Sequence, residues 1–260
     1  MEQLIRKFSE ISIADTAEVG GKNSSLGEMF TQLSPKGIRI PDGFATTAFA
    51  FRHFLEENKL SDTLTQLMEQ LDKKDFTNLK EIGLKARETI LEANMPEDLH
   101  EAVTGAYKEL SGDNDVEVAV RSSATAEDLP QASFAGQHES YLNVKGEAAV
   151  IKAVQRCFAS LYTNRAIKYR EDSHFEHEKV ALSVGVQKMV RSDKGSAGVA
   201  FTLEPESGFR NVIHISGVWG LGENIVQGAV NPDEFYVFKP ALLQNKKAII
   251  QKKLVIKQKL

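Results

Sequence analysis

The sequence predicts a mixed α/β (α+β) chain with a helix-rich first part and a sheet-rich second part. Three observations carry that expectation. Between Phe51 and Leu110 the apolar residues recur at helical spacing, with no sustained alternation. From Val116 onward the period changes: Val116, Val118 and Val120 alternate with Glu117, Ala119 and Arg121, the period-2 signature of a strand. Further on, VALSVGVQKMV and NVIHISG read as strands among glycine-bearing turns. The expected division is a helix-rich lobe over 1–112 and a sheet-rich lobe over 113–260.

Composition narrows the function classes. The 260 residues are 42% hydrophobic and 26% charged, which is ordinary for a globular chain with a real core. A formal net charge of -4 argues against nucleic-acid binding by bulk charge but leaves room for a local basic pocket. Cys157 is the one cysteine, so neither an internal disulfide nor a CxxC metal clasp can form. No apolar stretch is long enough to span a bilayer, and MEQLIRKFSE lacks a signal-peptide core. A cytoplasmic protein, without membrane or nucleic-acid partners, is the expectation.

In chain order, Gly20-Gly21 opens a helix carrying Leu26, Met29, Phe30 and Leu33 on one face, with Lys22 in its first turn. A helix N-terminus bears unpaired N–H groups and positive partial charge. A lysine there is unfavourable for the helix and useful for a phosphate. The spacing is not that of a Walker A loop. The run SPKGIRIPDGFATT reads as turn, short strand, turn, and Thr46 or Thr47 caps the next helix with its Phe51, Phe54 and Leu55 stripe. Helices follow over 62–71 and 78–93. Pro96 sits in the first turn of another that reaches Leu110.

The strand at 116–120 runs into Ser122, Ser123, Thr125, Ser133 and Gly136, a polar stretch that cannot bury much of itself. Arg121 stands at its mouth, and guanidinium is shaped to grip phosphate with two parallel hydrogen bonds. Gly136 allows close backbone approach to a ligand. A polar surface turn and an anion site are equally compatible with this run. A strand over 140–144 follows, then a helix burying Val150, Val154, Cys157, Phe158 and Leu161. Cys157 reads as a core residue. Arg165, Lys168 and Arg170 read as a solvated helix face, and His174 and His177 as part of a charged loop. Strands are expected over 180–190, 198–203, 211–217 and 234–239. Trp219 is expected to anchor packing, and the alternating tail from Asn245 to form a hairpin with a solvated face.

Four blocks, VGGKNSSLGEM, VAVRSSATAEDLPQASFAGQ, GVQKMVRSD and GVWGLGENIVQGAVNPDEFYV, resemble the nucleotide-binding domain of the phosphoenolpyruvate synthase and pyruvate phosphate dikinase family. They cover most of the chain in the family's order. Rifampin phosphotransferase shares several of them. The resemblance implies an ATP-grasp-like fold with a helical N-terminal lobe. It also implies an enzyme converting pyruvate, ATP and water into phosphoenolpyruvate, AMP and phosphate through a phosphohistidine carried outside this chain. Lys22 and Arg121 are then the catalytic candidates. Lys22, Arg121, Ser122, Gly136, Gln187, Met189, Val190 and Glu204 are the ATP-binding set, with Gln187 to Val190 at adenine and Glu204 at ribose. ATP and Mg²⁺ are the implied cofactors, with no metal ligand in this chain. The implied partners are the phosphohistidine and pyruvate-binding domains of a longer enzyme, and a homodimer is the oligomer to test. The tail stops inside a strand-like pattern, so the domain is expected to be incomplete at its C-terminus. A pyruvate phosphate dikinase or rifampin phosphotransferase domain, or a noncatalytic ATP-binding fragment, is the alternative.

Overall fold

The computed structural model describes residues 3–125 and 139–255. They form two compact units, one reaching Met189 and the other beginning at Val190.

The first unit is built on a five-stranded antiparallel sheet. Its strands are β1 (Ile5–Lys7), β2 (Gly43–Thr46), β3 (Val118–Ala124), β4 (Ser140–Val144) and β5 (Leu182–Lys188). Their order across the sheet is β1-β2-β5-β3-β4. Strands from both sides of residue 112 therefore share one sheet, and the helices of the first part pack on it.

One face carries the main core. Val118, Val120, Val184, Val186 and Phe44 point into it. They meet α2 (Ala48–Glu57), α3 (Ser61–Glu69), α4 (Leu79–Glu92), α5 (Glu97–Ser111) and α6 (Glu147–Ser160), followed by α7 (Asn164–Asp172). Thr47 is the cap of α2, its hydroxyl accepting from Ala50 N at 3.2 Å. Pro96 stands one position outside α5, as its N-cap. Cys157 is wholly buried in this core, and burial pushes its thiol pKa up.

The opposite face is covered by α1 (Thr16–Leu33). This helix is broken at Gly20, whose φ of 72° and ψ of 163° are not helical. The continuous part therefore starts at Gly21, where the glycine pair places it. A small apolar cluster of Phe8, Ile11, Val19 and Ala45 seals this side.

The second unit is a four-stranded antiparallel meander, β6 (Ser196–Phe201), β7 (Val212–Trp219), β8 (Asp233–Phe238) and β9 (Ile249–Lys253). Two short helices interrupt it, α8 (Glu223–Val226) and α9 (Lys239–Leu243). All five residues of β9 are exposed.

Three sequence expectations are corrected. Arg170 is not on a solvated face: it is fully buried. Its Nη1 donates to Leu161 O at 2.6 Å and its Nε to His177 Nδ1 at 2.7 Å, and its guanidinium lies over the Tyr162 ring. The long side chain turns inward because a carbonyl, an imidazole and an aromatic face await it there. Trp219 is not a packing anchor: it ends β7 opposite Ser196 and is 67% exposed. The strand in the 34–47 run is Gly43–Thr46, where a turn was expected, because these residues pair with both β1 and β5.

Candidate functional site

The regular register between β3 and β5 fixes which side chains share a face. Arg121 is opposite Gly185, Ser123 opposite Ser183, and Ala119 opposite Gln187. Alternation puts Ala119, Arg121 and Ser123 on one side of β3 and Val118, Val120 and Ser122 on the other. The first side is the α1 side, because the Lys22 amide donates to Ser123 Oγ at 3.2 Å. Arg121 and Ser123 are two residues apart on one strand, so their Cα atoms are separated by about 7 Å.

The break at Gly20 therefore aims the start of a helix at the strand that carries Arg121. The structure thus brings the start of the continuous helix, through the Lys22 backbone amide, to the face of β3 that also bears Arg121. Both side chains lie at exposed positions. Burial of the surroundings lowers the Arg121 pKa, and the guanidinium stays protonated at neutral pH.

A second arginine marks the contrast. Arg6 on β1 belongs to the same cross-sheet row, opposite Ala45, which is opposite Gly185. It stands about 14 Å from Arg121, three strand spacings away. Arg6 is neutralised by Asp15 at 3.4 Å and Glu18 at 2.9 Å. Among the described residues no carboxylate pairs with Arg121. An arginine with no carboxylate partner among the described residues is suited to an incoming anion.

The other expected residues are placed differently. Ser122 is fully buried on the opposite side of β3, with its backbone N donating to Glu139 O at 3.2 Å. Its side chain is not brought to Arg121; that of Ser123 is brought to the Lys22 amide. Extending the valine alternation by one more step separates these two serines, so the signal lay in the sequence. Gly136 lies outside the described residues. Gln187 shares the α1 side, but its Nε2 is bonded to Pro41 O at 3.1 Å. The Met189 N–H is taken by Glu117 O at 2.9 Å. In the second unit, Val190 O accepts from Ser192 N at 2.7 Å. Glu204 closes a turn, accepting from Glu206 N at 3.2 Å and Ser207 N at 2.6 Å, and from the Ser207 hydroxyl. The hydroxyl and these amides hold its carboxyl below its ordinary range.

Two residues passed over in the sequence belong to this face. Asn23 and Ser183 are buried, and Asn23 Nδ2 donates to Ser183 Oγ at 2.9 Å. A buried asparagine within a helix is a signal in itself, since an amide is buried only where it finds partners.

Among the described residues there is no group of three or more His, Cys, Asp or Glu that could hold a metal ion. Both ring nitrogens of His177 are engaged, one by Arg170 and the other by Glu171 at 2.7 Å. No helix among the described residues is long and apolar enough to cross a membrane.

The chain is 52% identical to the phosphoenolpyruvate synthase of Synechocystis sp., over 96% of its own length and 32% of the relative's. It is 52% identical to that of Neisseria meningitidis serogroup B, over 94% and 31%. For Escherichia coli K12 the figures are 49%, 96% and 32%. The chain thus spans about a third of the length of these curated relatives. A family model described as the pyruvate phosphate dikinase AMP/ATP-binding domain matches residues 16–259. With the match running from the first residue of α1 past the end of β9, this chain belongs to the pyruvate phosphate dikinase AMP/ATP-binding domain family.

Proposed function

We propose that this chain binds Mg-ATP as the nucleotide-binding portion of an enzyme that makes phosphoenolpyruvate from pyruvate, ATP and water, releasing AMP and phosphate. The observation that carries the reading is that the Lys22 amide, beside the helix start at Gly21, bonds to Ser123 on the face of β3 that also bears Arg121. Its support is chemical. A polyphosphate concentrates negative charge, and two cations beside a helix N-terminus neutralise it without reorganising.

In this reading Lys22 and Arg121 hold the phosphates and orient them for in-line transfer to a phosphohistidine on another domain. Positioning and charge neutralisation supply the rate gain. Mg²⁺ comes as the counter-ion of the nucleotide, and this chain's described residues contribute cations rather than carboxylate ligands. The sequence resemblance assigns adenine to the backbone around Gln187, Met189 and Val190, ribose to Glu204, and the ATP-grasp architecture to the whole. Adenine binding at that strand end would use groups other than the Met189 N–H, which Glu117 holds. The phosphate end therefore carries the proposal.

Calorimetry with Mg-ATP tests it. The chain is expected to bind, and Lys22→Met and Arg121→Met each to weaken binding by about tenfold, the scale of one lost charge-assisted hydrogen bond. Absence of binding, or unaltered affinity in both variants, would overturn the assignment. Phosphoenolpyruvate formation when the chain is combined with the remaining domains of a relative tests the reaction itself.

A further inference from the structure

The docking of α1 on the sheet uses buried polar groups at a place where apolar contact would hold a helix down equally well. Ser123 and Ser183 face each other across β3 and β5, and both are fully buried. Two consecutive helix residues bond to this pair. The Lys22 amide donates to Ser123 Oγ at 3.2 Å, and Asn23 Nδ2 donates to Ser183 Oγ at 2.9 Å. The chain of bonds continues into β2. The Ser183 hydroxyl donates to Thr46 O at 2.5 Å, and Thr46 Oγ1 accepts from Val184 N at 2.9 Å.

Two glycines make room for these bonds. A Cβ at Gly20 would lie 2.3 Å from Ser123 Oγ, and one at Gly185 would lie 2.2 Å from Asn23 Oδ1. Each glycine is thus matched to one of the two bonded groups.

Apolar packing is non-directional and tolerates sliding, whereas a buried hydrogen bond does not. A slip of α1 by one residue turns it by about 100°. Asn23 and both serines would lose partners, each at a cost near that of desolvating a polar group. The same slip would rotate Lys22 away from the Arg121 side.

We propose that Ser123, Asn23 and Ser183 are positioning residues that lock the rotation of α1, so that Lys22 and Arg121 present their charges on one face. They act through Lys22 and do not touch the ligand. The lock stands on the geometry alone; its consequence for affinity rests on the ATP reading.

Amide hydrogen exchange followed by NMR, together with calorimetry, tests both parts. In Ser123→Ala the Lys22 amide is expected to exchange at least tenfold faster while amides in α4 and α5 are unchanged. Ser123→Ala and Ser183→Ala are each expected to weaken Mg-ATP about tenfold and adenosine less than twofold. In a Lys22→Met background, Ser123→Ala is expected to add less than twofold. Should Ser123→Ala not fold, Asn23→Ser is read by the same measurements. Unchanged Lys22 exchange overturns the lock whether or not nucleotide binds. Equal losses for Mg-ATP and adenosine, or a full Ser123→Ala loss without Lys22, reduce the serines to general stability and overturn the positioning role. A wild-type chain that binds no Mg-ATP overturns the ATP reading, and the exchange result then decides the lock by itself.

Discussion

The two sheets of this molecule are both antiparallel, yet they are specified in opposite ways. The first joins segments distant in sequence: Gly43 pairs with Gln187, and Val118 with Lys188. Helices cover both of its faces, and every residue of β3 but Arg121 is buried. The second is a meander in which each strand pairs with the next one in the chain. Among its described residues the buried apolar side chains are Val212, Val218 and Ala248. A sheet closed on both faces constrains each side chain from several directions, so it can hold charges to a fixed geometry. A meander needs only its local pairings.

The largest expected effects come from glycines pressed between α1 and the first sheet. Gly20→Ala meets both a positive φ and the Ser123 side chain, and Gly185→Ala meets Asn23. Each is expected to cost about 2–4 kcal/mol in urea denaturation, from strain and overpacking. In the second sheet Gly198 is equally crowded, its Cβ meeting Ser216 O at 2.2 Å, whereas a Cβ at Gly217 would come no nearer than 4.0 Å to Ala197 O. Gly217→Ala is expected to stay within about 0.5 kcal/mol of wild type. Equal losses at Gly185 and Gly217 would break the contrast.

A tyrosine pair gives a smaller and sharper version. Tyr107 is fully buried; its hydroxyl donates to Val116 O at 2.7 Å and accepts from Gly146 N at 2.9 Å, tying α5 to both ends of the β3–β4 region. Tyr107→Phe leaves both backbone groups short of a partner, and about 1–2 kcal/mol of stability is expected to go. Tyr236, on β8, stacks on His214 with ring centroids 4.6 Å apart. Phe keeps that stacking, so Tyr236→Phe is expected to change little in the same denaturation assay.

What the sequence disclosed follows the same division. Helical spacing located α2 to α6 closely, since each buries one stripe against the first sheet. Strand β4 falls at 140–144, as the sequence predicts. That the Lys22 amide meets the Arg121 side of β3 was only half legible. Alternation gives the side of Arg121, but which side α1 covers depends on contacts 101 residues apart in the chain. Arg170 was misread because a charged side chain at an i+3 or i+4 position looks solvated until the group opposite is known. Its partners, Leu161 O and His177, come from a turn on either side of α7. The short α9 carried no periodic signal at all, its five residues making little more than one turn.

The buried Arg170 also gives the first unit a pH dependence. Burial pushes its guanidinium down to about 10, leaving it charged at neutral pH. It donates to His177 Nδ1, so His177 carries its proton on Nε2, toward Glu171. Lys73 stands on the other side of Glu171 at 3.1 Å. Burial, then the charge of Arg170, depress the His177 pKa below its ordinary 6.5, and the Glu171 hydrogen bond only partly offsets them. As pH falls through 6.5 the unfolded chain takes up a proton that the folded chain refuses, so this part of the stability is lost on acidification. Against its own desolvation, His177 and Lys73 hold Glu171 below its ordinary range, which places the loss of its contribution at lower pH. Wild type is expected to lose stability between pH 7 and the folded His177 pKa, and His177→Gln to flatten that slope in denaturant melts at several pH values. An unchanged slope would remove His177 as its source.

The smallest expected effect is at the open edge of the meander. Ile250 on β9 is 61% exposed, and Val186 on β5 is fully buried. Both are β-branched residues in strands, so propensity alone ranks them alike. Ile250→Thr keeps the branching, leaves the strand's backbone pairing intact and replaces with a hydroxyl an ethyl group that already meets water. It is expected to fall within about 0.5 kcal/mol of wild type. Val186→Thr is nearly isosteric but buries a hydroxyl in an apolar core, and is expected to cost about 1–3 kcal/mol. If urea denaturation gave Ile250→Thr a loss as large as that of Val186→Thr, the β9 face would have to be covered in solution, and the contrast between a closed sheet and an open one would fail.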